Sequence, residues 1–259
     1  MKLYAFYTPS HSALKENWFI PSLQDDYELT IRQMEQIGQE RDHLYRSSEF
    51  KQTVLRKVEL IIQAIQDTWG EVFIFSDVDV YFFRPSQRTL MKLIKGRDML
   101  FQRNSSKGEL CTGFFVCRAN QKTLNLWTDA GKCMLENEDK DDQDALNYLL
   151  FEKLSNKYDK RKYCLVKSLL AKVNRWDGVS EKIALLLTRI GNDYQIKWTY
   201  LPREFFSPGI VNECIWRPDM EFPVPRNIIM HHANWTVGVK NKIAQLKYVR
   251  DVVNKRAKA

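Results

Sequence analysis

An α/β fold is what this sequence predicts, and three observations predict it. Short apolar runs alternate with amphipathic stretches in βαβαβ order. The run 72–75 is apolar on successive residues, as a strand covered on both faces in a parallel sheet would be. No internal repeat, low-complexity tract or interdomain linker divides the 259 residues, and a hydrophobic fraction of 44% supports a full-sized core. Disorder as the main state is excluded, and a single domain over 1–259 is expected.

The elements follow in order. Residues 3–7 form a short apolar strand stopped by Thr8-Pro9-Ser10, and a second strand is expected at 27–31. Over 50–65 the apolar positions Val54, Leu55, Val58, Leu60, Ile61, Ala64 and Ile65 recur at helical spacing, turning Lys51, Arg56 and Glu59 to solvent. That helix ends near Gly70, before the strand 72–75 and the break at Ser76-Asp77-Val78-Asp79. A short helix is expected at 89–94, strands at 99–102 and 113–117, and helices at 121–135 and 142–154. The stretch 153–190 is lysine-rich and loses its period, so it reads as a surface insertion. Strands resume at 196–201 and 228–230, and 239–253 makes a basic helix with Ile243, Leu246, Val249 and Val253 on one side.

Forty Lys plus Arg against 32 Asp plus Glu give a net charge of +8, which favours anionic partners without choosing among them. No uncharged apolar run reaches about 18 residues, the length of a membrane span. The opening strand is too short for the apolar stretch of a signal peptide. Five cysteines, Cys111, Cys117, Cys133, Cys164 and Cys214, form an odd set with no CxxC pair, so they read as buried free thiols in a reducing compartment. A cytoplasmic location is expected, with peripheral membrane contact through the basic surface as a variant. The sequons at Asn104 and Asn234 would matter only in a secretory lumen.

The chemistry gathers after the central strand. In FIFSDVDVYFFRP, residues 73–85, Asp77 and Asp79 sit two apart at a strand end, so an extended backbone would point both carboxylates to one side. Ligands of open α/β sheets collect outside the carboxyl ends of strands. Two carboxylates there suit Mg²⁺ or Mn²⁺, which could bridge to a diphosphate. A solvated turn is the plain alternative.

This segment resembles the strand and DxD of the GT-A-fold nucleotide-diphospho-sugar transferases, the DxD glycosyltransferases, and the resemblance extends over most of the chain. It implies a Rossmann-like mixed sheet flanked by helices, with Asp77 and Asp79 on a metal and Asp77 and Val78 against the donor. LYAFYTPSH at 3–11 is similar to the family's first strand and nucleotide loop, which makes Tyr7 and Thr8 candidates for base and ribose. Lys57 lies on a helix resembling one that carries a basic residue near the nucleotide, though a solvated helix face is an equal alternative. CTGFFVCR at 111–118 is similar to the strand and turn lining the sugar pocket, with Gly113 in it. DQDALN at 142–147 resembles the DQD-x-LN segment of retaining members, which assigns Gln143, Asp142 and Asp144 to catalysis. In HHANWTVG at 231–238, His232 corresponds to the third metal ligand, with His231 the alternative. Asn234, Gly238 and Lys242, or Lys240, then face the donor.

The resemblance implies a Mn²⁺-dependent enzyme, Mg²⁺ being possible, that moves a sugar from a nucleoside diphosphate. A UDP-sugar such as UDP-xylose, UDP-galactose or UDP-glucose is the expected donor, and a hydroxyl of a glycan or glycoconjugate the acceptor. Retention is expected; inversion would need Asp141, Asp142 or Asp144 as base. Trp18, Trp198 and Trp216 could stack on sugars, but packing is their plainer role. Two other classes compete. The strand and DxD also resemble haloacid-dehalogenase-type phosphatases, with Asp77 as nucleophile and Asp79 as acid and base around Mg²⁺. The lysines at 153–172 and 240–258 could instead serve a non-enzymatic nucleic-acid or membrane-surface binder, although no nucleic-acid motif accompanies them.

Overall fold

The structure is a computed structural model, and it describes residues 1–37, 48–106, 108–152 and 193–258. At its centre β1 (Lys2–Tyr7) pairs in parallel with β2 (Glu28–Gln33) on one side and β3 (Val72–Asp77) on the other. β6 (Leu110–Arg118) then runs antiparallel to both β3 and β5 (Met99–Arg103), and β7 (Trp198–Tyr200) is parallel to β5. The order β2-β1-β3-β6-β5-β7 makes the expected mixed sheet flanked by helices. β3 is thus parallel to one neighbour only, and its continuous apolar run reflects burial on both faces.

Successive side chains of the central strands enter two different cores. Tyr4, Phe73, Phe75, Phe115 and Cys117 pack on one face with α1 (Ser48–Asp67) and α3 (Gln121–Glu136). Leu3, Ala5, Ile74, Phe114 and Val116 pack on the other, against the helical turns of 9–22 and α5 (Val239–Ala257). α3 starts where the sequence allows it: the Asn120 side chain accepts from the Lys122 and Thr123 amides, and the Thr123 hydroxyl oxygen accepts from the Asn120 amide.

Several boundaries differ from expectation, each for a tertiary reason. α2 (Gln87–Leu93) begins earlier than 89 because the distant Asp25 carboxylate accepts from the Ser86 and Gln87 amides at 2.6 and 3.0 Å. The helix expected over 142–154 is α4 (Asp142–Asn147), continued by a wider π turn at Tyr148–Glu152. The lysine-rich stretch beyond it lies outside the described residues, as does Cys164. The strand expected at 228–230 is β9 (Met230–His232), which pairs with β4 (Val80–Phe82) and β8 (Phe205–Phe206) in a second, three-stranded sheet. β4 and β8 are too short to leave a period in the sequence.

Cys111, Cys117 and Cys133 are buried as expected, whereas Cys214 is exposed. Trp18, Trp198 and Trp216 are all buried in cores, which is the packing role. No described helix is long and apolar enough to cross a membrane.

Phe115 is the centre of the larger core, its ring stacked between Phe75 at 5.3 Å and Trp127 at 5.1 Å. Phe115→Ala is expected to lower the unfolding free energy by about 3–5 kcal/mol in urea titrations, as emptying a closed aromatic site does.

Candidate active site

The site forms where β1 and β3 end. Phe6 lies opposite Asp77 in the register, so Tyr7 and Thr8 leave β1 at the level where β3 gives way to the DxD turn. Asp77 is the last residue of β3, and Asp79 sits in the bend before β4. The two carboxylates therefore do not converge through strand alternation, as the sequence suggested. Backbone pairing brings them together instead: Val80 pairs with His232, and the Ala233 amide donates to the Asp79 carbonyl at 2.8 Å. One ligand atom each from Asp77, Asp79 and His232 then lies within 4.8 Å of the others. His231, one residue earlier, points the opposite way, with its ring stacked on Phe206 and Nε2 3.0 Å from Gln245 Oε1.

Gly113 lets Asp77 and His232 approach β6 closely. A Cβ there would lie 2.6 Å from Asp77 Oδ2 and 2.9 Å from His232 Nε2, and would overlap His232 Cε1. The glycine is required by space and not by its backbone angle.

Three cations face three carboxylates. Lys57, buried on α1, meets Asp142 Oδ2 at 3.0 Å and Asp77 Oδ1 at 3.4 Å, so its helix face is not the solvated one. Lys242, on the first turn of α5, donates to Asp79 Oδ2 at 2.7 Å. Gly238, at φ +83°, makes the turn that starts this helix. His232 Nε2 stands 3.3 Å from Asp79 Oδ1.

The charges follow from these neighbours. Burial pushes the Asp77 pKa up, against the pull of Lys57. Burial acts on Asp79 in the same sense, but Lys242 and His232 outweigh it and hold that carboxyl well below its ordinary value. Burial would lower His232, yet the Asp79 charge raises it to about 10. Burial lowers His231 to about 3, so that ring is neutral.

The donor set fits a divalent cation. Asp77 Oδ1 and Asp79 Oδ1 are buried without a hydrogen bond and are held only by ion-pair contacts of 3.4 and 3.3 Å. Carboxylate and imidazole donors suit Mn²⁺ and related ions.

α4 is drawn to the site by its own polar groups. Asp141 caps it by accepting from the Asp144 amide at 2.8 Å, and Asn147 clamps both backbone groups of Leu110 at the start of β6. Asp142 faces Lys57, while Gln143 and Asp144 are half-buried on the same turn. Burial and the Asp142 charge push the Asp141 pKa up to about 7.

The remaining expected residues are distributed around this centre. The Tyr7 hydroxyl donates to Gln33 Oε1 at 2.9 Å and accepts from Lys15. Thr8 is buried, its hydroxyl 3.1 Å from His11 Nδ1. The Val78 side chain is in the core, which leaves its backbone for any ligand. Asn234 Oδ1 accepts from Ser207, and its amide nitrogen donates to Asn104. Lys240 is exposed, so Lys242 is the lysine that enters the site. Sequence reasoning missed Gln102, whose Oε1 is 2.8 Å from His232 Nδ1. A glutamine inside the apolar strand MLFQR was the available signal.

Two expectations follow. Lys57→Met leaves Asp77 and Asp142 without their shared cation, and urea unfolding at pH 7 should show a loss of about 3 kcal/mol that shrinks at lower pH as Asp77 protonates. Asp141 binds its proton more tightly folded than unfolded, so wild-type stability falls between about pH 4 and pH 7 on this account. Asp141→Asn, which keeps the cap, should be more stable than wild type above pH 7 by about 1–3 kcal/mol and equal to it near pH 4.

Among curated proteins none matches the chain significantly. Similar solved structures include the apo form of the glycosyltransferase GlyE from Streptococcus pneumoniae TIGR4, at 9% identity and a TM-score of 0.48, with 99% of this chain and 64% of that one covered. A second GlyE structure gives 9% and 0.48, with coverage of 99% and 63%. The apo bifunctional glycosyltransferase WbbM gives 8% and 0.40, with coverage of 57% and 36%. The chain spans less than two thirds of the length of each. The sequence model of the nucleotide-diphospho-sugar transferases matches residues 8–246, nearly the whole chain and every residue of the site just described except Tyr7, and the chain belongs to that family.

Proposed function

We propose that this protein transfers a sugar from a nucleoside diphosphate, taken as a UDP-sugar, to a hydroxyl of a glycan or glycoconjugate, with retention and with Mn²⁺ as the preferred ion. The observation that carries this reading is the convergence of Asp77, Asp79 and His232, the first and last packed against Gly113, with Lys57 and Lys242 beside them.

Asp77, Asp79 and His232 would hold the ion. Bound there, a divalent cation offsets the charge that grows on the diphosphate as it leaves. Lys242 is a second positive charge at the same place, anchored on Asp79 and able to turn to a phosphate oxygen. Tyr7 and Thr8 lie at the end of β1, where base and ribose would rest. Asp142 is held by Lys57, so its part is to fix α4 against β3. Gln143 and Asp144 then remain as the groups that would face the sugar and the acceptor hydroxyl.

Family membership gives the phosphatase reading no support, and the pairing of Asp77 with a buried lysine is unlike a free nucleophile. The basic-binder reading loses Lys242 to the site, and its lysines at 153–172 lie outside the described residues. The free buried thiols of Cys111 and Cys117 support a reducing, cytoplasmic setting. The basic α5 leaves peripheral contact with acidic lipid as a property of that setting.

The test is thermal melting with nucleoside diphosphates, with and without Mn²⁺. A rise in melting temperature with UDP that needs Mn²⁺ and is absent in Asp79→Ala is expected, since a ligand of the folded state stabilises it by mass action. No shift with any nucleotide in the wild type would sink the proposal.

A further inference from the structure

Gln102 is completely buried, in the strand β5, at a point where the pairing with β6 slips between Phe101 and Gln102. Such a bulge re-aims a side chain, and here it aims the amide across to the second sheet. Gln102 Nε2 donates to the carbonyls of Phe205 at 3.2 Å and Phe206 at 3.0 Å, both in β8. The opposite orientation of the amide would set its oxygen against two carbonyl oxygens, so the donors fix which way the group faces. Oε1 is thereby turned to His232 Nδ1 at 2.8 Å. The other described neighbour of that nitrogen, Cys111 Sγ, is a weak partner at 3.6 Å.

An acceptor that is not itself charged, locked by two carbonyls, requires a proton on Nδ1. Nε2 is then the ring nitrogen turned to Asp79 and to the space in front of Gly113. We infer that Gln102 is the positioning residue that fixes the ring orientation and proton placement of His232, so that Nε2 alone is presented to the divalent ion. This deepens the metal-site reading and rests on it. A histidine ligand without such a partner can rotate or bind through either nitrogen, and loss of the partner costs about 10–100-fold in metal affinity.

The experiment compares wild type, Gln102→Leu and Gln102→Glu in the full chain. Mn²⁺ affinity is measured by calorimetry without nucleotide. Nitrogen and proton spectra of ¹⁵N-histidine-labelled protein are recorded with Zn²⁺ as a diamagnetic probe, and only four histidines have to be assigned.

In the wild type Nδ1 should keep its proton while the Nε2 signal shifts on binding. Gln102→Leu should bind Mn²⁺ about 10–100-fold more weakly and lose the protected Nδ1 proton. Gln102→Glu, in its neutral form, can donate to one carbonyl and still accept from Nδ1, so it should recover most of the affinity and the proton signal. If Gln102→Leu does not fold, Gln102→Met carries the same expectation. Wild-type affinity in the leucine or methionine variant overturns the inference alone. Weakened binding with the Nδ1 proton retained also overturns it, because the role would then be packing. Failure of the wild type to bind Mn²⁺ or Zn²⁺ overturns the metal-site reading and this inference together.

Discussion

Holding Asp77, Asp79 and Asp142 close together out of water would cost several kcal/mol per charge if they stood alone. Lys57, Lys242 and His232 make the cluster tenable, each meeting a carboxylate at 2.7–3.3 Å. The three cations come from α1 and, much later in the chain, from β9 and the first turn of α5. The charge balance therefore pins those elements to the carboxyl ends of β1 and β3. Removal of Lys57 leaves Asp77 and Asp142 without their shared cation, whereas Asp79 is met by both His232 and Lys242.

The same balance prepares the site for a ligand. Ion pairs of 3.3–3.4 Å on Asp77 Oδ1 and Asp79 Oδ1 are loose, and these oxygens are not engaged in hydrogen bonds. Lys242, with its side chain 23% exposed, is the cation with freedom to turn to an anionic donor, whereas Lys57 at 6% is locked between two carboxylates. One lysine thus has the character of a ligand contact and the other of a strut.

The two sheets share the work. The six-stranded sheet supplies Asp77 at the end of β3 and Gly113 within β6, and the three-stranded sheet supplies His232. Gln102 crosses from one to the other, and the Ala233 amide on the Asp79 carbonyl closes the gap. α4 adds Asp142 because Asn147 fastens it to the beginning of β6.

Much of this was legible in the residues themselves. Continuous apolar runs with helical stretches between them determined the alternation of strands and helices, because burial on both faces leaves no polar position in a strand. The DxD after such a strand and the DQDALN segment marked the carboxylates, since charged groups at buried strand ends need a reason. Lys57 was visible as a residue but not as a buried one: periodicity places a lysine on a helix surface, and only the partner carboxylates of β3 and α4 make burial affordable. Tertiary contact also set His232 rather than His231 beside the two aspartates, through the register of β9 against β4, where a shift of one residue exchanges the two faces. It decided the convergence of Asp77 and Asp79, which comes from backbone pairing across the turn, and the presence of Gln102, brought to His232 by a bulge. What the sequence by itself determined was which segments are buried and which residues carry charge, because those depend on local pattern. Which polar and charged groups meet depended on contacts between segments distant in the chain, such as Lys57 with Asp142, Gln102 with His232 and Asp79 with Lys242, and those exist only once the chain has folded.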